Sequence, residues 1–105
     1  MKGFDSTPIV CSLTTAELRK REATLLAQFR SAVIETEELQ GGFAFRLTGE
    51  DKLIALIAEL IVAERECRPF LTFELVALPN KGPLIVRVTG LAGTKEFLRG
   101  VFVQL

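Results

Sequence analysis

Two cysteines carry most of the chemistry open to this sequence. Cys67 stands in the run Ala63-Glu64-Arg65-Glu66-Cys67-Arg68-Pro69-Phe70, and Cys11 in Ile9-Val10-Cys11-Ser12-Leu13. A thiol acts as nucleophile or ligand through its thiolate, which cations and helix N-termini favour. Arg65 and Arg68 supply nearby cations, but Cys67 falls where a helix ends, and there the macrodipole opposes the thiolate. Cysteine also packs readily as a small apolar residue. Both roles are open for Cys67 on the sequence. If the segment around Cys11 lies along the end of that helix, the two thiolates suit a soft ion in linear or low coordination.

The chain contains no histidine. Ser-His and Cys-His catalysis within one chain is therefore excluded. Two cysteines are too few for a disulfide framework and lack the ligand count of a structural zinc site. Gly90-Leu91-Ala92-Gly93-Thr94-Lys95 departs from a phosphate-binding loop, because Thr precedes Lys and the spacing is short. It reads as a glycine turn. The G-x-x-G it contains also lacks the basic surroundings of an RNA-binding loop. Glu35, Glu37, Glu38, Glu59, Glu64 and Glu66 are expected on an edge strand and an outer helix stripe, as solvated charge rather than as a facing catalytic pair. An enzyme is the less favoured class, and no catalytic residue is assigned.

Thirteen basic and thirteen acidic residues give a formal net charge of zero. This argues against nucleic-acid or anionic-membrane binding, which needs a basic field or patch. Arg19, Lys20 and Arg21 fan around a helix instead of forming a patch. The N-terminal run lacks a long apolar stretch, and Leu53–Ala63 is broken by Glu59 and too short to span a bilayer. A cytoplasmic protein with reduced thiols is expected.

These residues need elements to position them. At 105 residues, 49% hydrophobic and 25% charged, the chain reads as one globular domain with a loose segment over 1–7. A short strand is expected over 9–13. Thr14-Thr15-Ala16-Glu17 has the pattern of a capping box opening a helix to about residue 30, with Leu18, Leu25, Phe29 and Ala32 as its inner stripe. Strands over 33–39 and 43–48 flank Gln40-Gly41-Gly42, where paired glycines would supply positive φ for a hairpin. The outgoing strand, rich in Glu, reads as a charge-protected edge. A second helix begins near Asp51 and runs to residue 66 or 67, stopped by Pro69. Strands over 70–78 and 84–89 flank a Pro-Asn-Lys-Gly-Pro turn, and a third helix spans about 94–102. Arg46-Leu47-Thr48-Gly49 is echoed by Arg87-Val88-Thr89-Gly90, each ending a hairpin before a helix. The order (β)αββαββα predicts an α+β, two-layer domain: an antiparallel sheet of two hairpins with about three helices.

The second helix is apolar around more of its circumference than one sheet contact requires. Leu53, Leu56, Ile57 and Leu60 share one face with Glu64, and Ile54, Ala58 and Ile61 share the next. Together with a mean hydropathy of +0.34, this predicts a homodimer that covers the excess.

The combination Cys11-Ser12-Leu13-Thr14, Glu17-Leu18-Arg19, Glu64-Arg65-Glu66-Cys67-Arg68-Pro69-Phe70-Leu71 with Phe73, and the closing Val88-Thr89-Gly90 with Lys95-Glu96-Phe97-Leu98 resembles a family of small uncharacterised bacterial proteins. That family has an upstream cysteine and a central E-R-x-C-C-P-F motif. The resemblance implies a soft-metal or redox site containing Cys11 and Cys67. The second cysteine of the motif is Arg68 in this chain, so a three-thiol site lacks one member. The leading expectation is a small binding or accessory module, linked to a soft metal or to thiol chemistry through Cys11 and Cys67. The alternatives are an apolar-ligand domain lined by Phe43, Phe45, Phe70 and Phe73, and a purely structural interaction protein.

Overall fold

The computed structural model describes residues 15–103, so the expected strand over 9–13, with Cys11, and the loose segment over 1–7 lie outside the described residues. The elements run α1 (Ala16–Ala32), β1 (Glu35–Leu39), β2 (Gly42–Leu47), α2 (Asp51–Cys67), β3 (Thr72–Ala77), β4 (Leu84–Thr89) and α3 (Thr94–Leu98), which continues as one π-helical turn over Arg99–Val103. The four strands form one antiparallel sheet in the order β1-β2-β4-β3. This is the α+β architecture that the pattern of hairpins and helices implies.

The helix boundaries follow local chemistry. Thr15 caps α1, its Oγ1 accepting from the Leu18 amide at 3.1 Å, a contact worth about 1 kcal/mol in comparable caps. Glu17 and Asp51 place negative charge in the first turns of α1 and α2. α2 ends at Cys67, just ahead of Pro69.

The two hairpins turn by different means. In the β3–β4 loop, Asn80 and Lys81 take φ of 60° and 55°, and the Gly82 amide donates to the Pro79 carbonyl at 3.0 Å. Two consecutive left-handed residues closed in this way match the turn sense that a twisted hairpin favours. The β1–β2 hairpin differs from the sequence expectation, because neither Gly41 nor Gly42 adopts positive φ. Gly42 is needed for closeness instead. A Cβ there would overlap the Val88 carbonyl oxygen of β4, so only glycine lets the central pair β2–β4 approach at that point.

Strand alternation divides the sheet. Phe43, Phe45 and Leu47 of β2 and Leu84, Val86 and Val88 of β4 point to the helix layer and are buried. The opposite face carries Arg46 paired with Glu35 and Arg87 paired with Glu74, all well exposed. Among the described residues β1, the Glu-rich strand, lies at one edge of the sheet, as the sequence predicts. Phe29 of α1, Phe45 of β2 and Phe102 of the closing turn meet edge-on or tilted, with ring centroids 5.3–6.2 Å apart. Leu25, Leu26, Ile57, Leu60 and Leu98 complete this core. Phe43 and Phe45 are thus core residues, 2% and 1% exposed. Leu18, expected on the inner stripe of α1, is instead 49% exposed, and Glu22 takes an inward position one turn later.

Candidate functional site

α1 and α2 lie side by side with opposed chain directions. Arg21 near the start of α1 pairs with Glu59 of α2 at 2.7 Å, while Gln28 and Ser31 near its end share a surface depression with Lys52 and Leu56 near the start of α2. The start of α1 therefore meets the end of α2. Two turns before the aromatic core, this junction buries charge.

Glu22 of α1 and Glu64 of α2 are 5% and 0% exposed. Their helical spacing causes this. Glu22 lies on the same face as Leu25, Leu26 and Phe29, and Glu64 continues the row of Leu53, Ile57 and Leu60. Arg68 follows α2 and turns back over its last turn. Its Nη1 donates to Glu22 Oε2 at 2.6 Å and to Glu64 Oε1 and Oε2 at 2.8 and 3.0 Å. The guanidinium also lies 5.4 Å from the centroid of Phe97, a cation–π contact. Arg68 Nε is buried without a hydrogen-bond partner among the described residues.

The electrostatics are unequal. Burial, followed by a hydrogen bond with Glu22, pushes the Glu64 carboxyl up to about 8, against the pull of Arg68. Near neutral pH Glu64 is then mostly protonated. A neutral Glu64 lowers the amount of charge that must be held out of water around Arg68. Burial opposes the charge on Arg68, but Glu64 and Glu22 together outweigh it and hold its pKa above the ordinary arginine value.

Cys67 belongs to the same cluster. It is 0% exposed, and its sulfur and one carboxylate oxygen from each of Glu22 and Glu64 lie within 4.8 Å of one another. It is disulfide-bonded. Cys11, the other cysteine of the chain, lies outside the described residues. Only with Cys67 reduced to its thiolate would this sulfur join the two carboxylate oxygens as a donor set for a divalent ion. Here, however, the Arg68 guanidinium already occupies the space between Glu22 and Glu64 and supplies the positive charge there.

The sequence expectations for this site divide. Cys67 does sit at a helix end against the core. Glu64, expected as solvated charge, is fully buried, because its helical register overrides its polarity once a cation is available. Glu59 and Glu66 are exposed as expected. Arg68, expected as a cation near Cys67, is the hub of the cluster. Glu22 was not singled out. Its signal was a charge on the apolar face of α1, three residues before Leu25 and seven before Phe29. The turn at Gly90–Gly93 does reverse the chain, with Gly93 at φ 91° and the Thr94 amide donating to the Leu91 carbonyl at 3.0 Å.

Comparison with family models, curated proteins and solved structures yields no match. Among the described residues, no helix is long and apolar enough to cross a membrane.

Proposed function

We propose that the protein is a small binding module whose working group is a thiol pair, Cys67 with Cys11, and that its reduced form takes a soft, thiophilic metal ion. The observation that carries this reading is the disulfide at Cys67. In a chain with one other cysteine, an intrachain disulfide means two sulfurs able to converge. Two convergent thiolates provide the linear, low-coordinate set that soft ions such as Hg(II) or Cu(I) prefer. The resemblance to a family with an upstream cysteine and an E-R-x-C-C-P-F motif supports the same two residues.

The chemistry balances simply. Two equivalents of a small thiol reduce the disulfide, giving two protein thiols and one small disulfide. Hg(II) then displaces the two thiol protons and forms two S–Hg bonds. Where the motif carries a second adjacent cysteine, this chain places Arg68, committed to Glu22 and Glu64. A two-coordinate site therefore fits the residues better than a three-coordinate one. The buried cluster fixes the end of α2, and with it the backbone that presents Cys67.

Native mass spectrometry of the reduced protein with stoichiometric Hg(II) tests this. One ion per chain is expected, lost in Cys67→Ser and in Cys11→Ser, with the circular dichroism of each reduced variant matching wild type. An adduct that survives Cys67→Ser, or none in wild type, would overturn the reading.

A further inference from the structure

The opposite side of the helix pair poses a separate question. Between α1 and α2, facing away from the sheet, runs an open groove of about 580 Å³. Leu18 and Leu25 line one wall, and Ala58, Val62 and Ala63 the other. Val62 is 66% exposed and Leu18 49%, so the groove leaves branched aliphatic side chains in water. Its charged rims have opposite signs. The α1 wall contributes Arg21, and the α2 wall contributes Glu59 and Glu66. Arg21 and Glu59 already meet across the groove at 2.7 Å, but each remains more than half exposed. Each thus retains room for a second partner of opposite charge.

We infer that this groove is a self-association surface, on which a second copy of the chain packs with its α1 over α2 and its α2 over α1. The pairing follows from symmetry. A two-fold axis lying between the copies and parallel to the helices carries α1 onto the far side of α2 at the same height along the helix. Arg21 then faces the partner's Glu59, and Glu59 faces the partner's Arg21, closing an alternating quartet of charges. Leu18 faces the partner's Val62 and covers the apolar floor. Because α1 and α2 run in opposite directions, the stacked helices are also antiparallel. An axis across the helices would instead stack each α1 on the partner's α1 and set Arg21 towards cationic surface. The charge pattern selects the first arrangement. The same contact covers the outward stripe of α2, with Ala58 and Val62, that exceeds what one sheet can bury.

Charge reversal can separate this surface from any other. Arg21→Glu leaves both rims acidic, and Glu59→Arg leaves the α1 rim and the middle of the α2 wall basic. Each variant alone should weaken dimerisation by at least about 100-fold in sedimentation equilibrium, since like charges brought face to face cost several kcal/mol. Mixed in equal amounts, the two should form a heterodimer, which native mass spectrometry identifies by adding a mass tag to one chain. The double variant Arg21→Glu/Glu59→Arg should restore the homodimer, and Val62→Lys should abolish it. Circular dichroism and thermal melts of each variant confirm that the fold is retained, as expected for exposed positions. A monomeric wild type, a dimer that persists in Val62→Lys, or single variants that fail to pair with each other would each overturn the inference.

Discussion

Two turns along α1 separate two ways of filling space under a helix. At Phe29 the chain meets Phe45 at 5.3 Å and Phe102 at 6.1 Å, within a cluster of buried apolar side chains. At Glu22, on the same face, it meets Arg68 at 2.6 Å, with Glu64 and Cys67 beside it. The first region owes its stability to apolar area and ring contacts. The second must first offset the cost of removing charges from water, and a buried ion pair often does no better than break even. A fold seeking stability alone would have continued the phenylalanines. The polar junction lies where α2 ends at a disulfide-bonded cysteine, and exceptions of this kind in a consistent fold fall at functional or strained places.

The contrast can be broken most severely at its hub. Arg68→Ala should cost about 3–5 kcal/mol of unfolding free energy, because it strands two buried acids without their cation. Chemical denaturation measures it, and a loss below about 1 kcal/mol would mean that the cluster is solvated. Truncation in the dry region makes the comparison: Phe102→Ala should cost a similar 3–5 kcal/mol, but through a cavity and lost apolar area. The two variants are distinguished by repair. Replacing the cluster wholesale, as Glu22→Leu/Glu64→Leu/Arg68→Met, should leave stability unchanged or raise it by about 1–4 kcal/mol. No comparable polar replacement can rescue the aromatic core. A triple variant less stable than Arg68→Ala would show that the charges are needed for folding itself.

Acidity gives a finer separation. The folded-state pKa of Glu64, about 8, lies above the 4.5 of an ordinary glutamate. The folded protein therefore holds this proton more tightly than the unfolded chain does. The stability it contributes is complete below about pH 4.5 and is lost as pH climbs through about 8. Melting temperatures of wild type should fall across that window relative to Glu64→Gln, which cannot titrate. Parallel curves for the two proteins would contradict the assignment. The smallest effect belongs to the open face of the sheet. Arg46 and Glu35 are exposed at 3.3 Å, and Arg46→Ala should change stability by only about 0–1 kcal/mol.

The dry region was legible in the sequence because it obeys periodicity. Phe43, Phe45 and Leu47 alternate on β2, Leu53, Ile57 and Leu60 recur on α2, and the hairpin and helix order then leaves few topologies. What the sequence left hidden depends on contacts between distant segments. Arg68 follows Glu64 at the i,i+4 spacing of a helical ion pair, but its second partner, Glu22, lies on another helix and comes within reach only because the start of α1 meets the end of α2. Even so, Glu22 and Glu64 each sat on an apolar stripe, and a charge in register with a core requires a partner inside it. The misassigned positions also depend on packing that spacing alone does not carry. Leu18 lies close to the inner stripe by spacing but falls in the first turn, beyond the reach of the sheet. The Gly41-Gly42 pair suggested a left-handed turn, whereas the constraint on Gly42 comes from Val88, far away in sequence.

The proposed thiol pair requires that the sulfur of Cys67, set against this buried charge cluster, bond to that of Cys11, the other cysteine of the chain. Peptide mapping of the unreduced protein, alkylated before digestion, tests it most directly. The account predicts a single disulfide-linked species joining the peptides of Cys11 and Cys67, formed within one chain and split by reduction. Recovery of Cys67 as a freely alkylated thiol, or as a link between two copies of its own peptide, would contradict it.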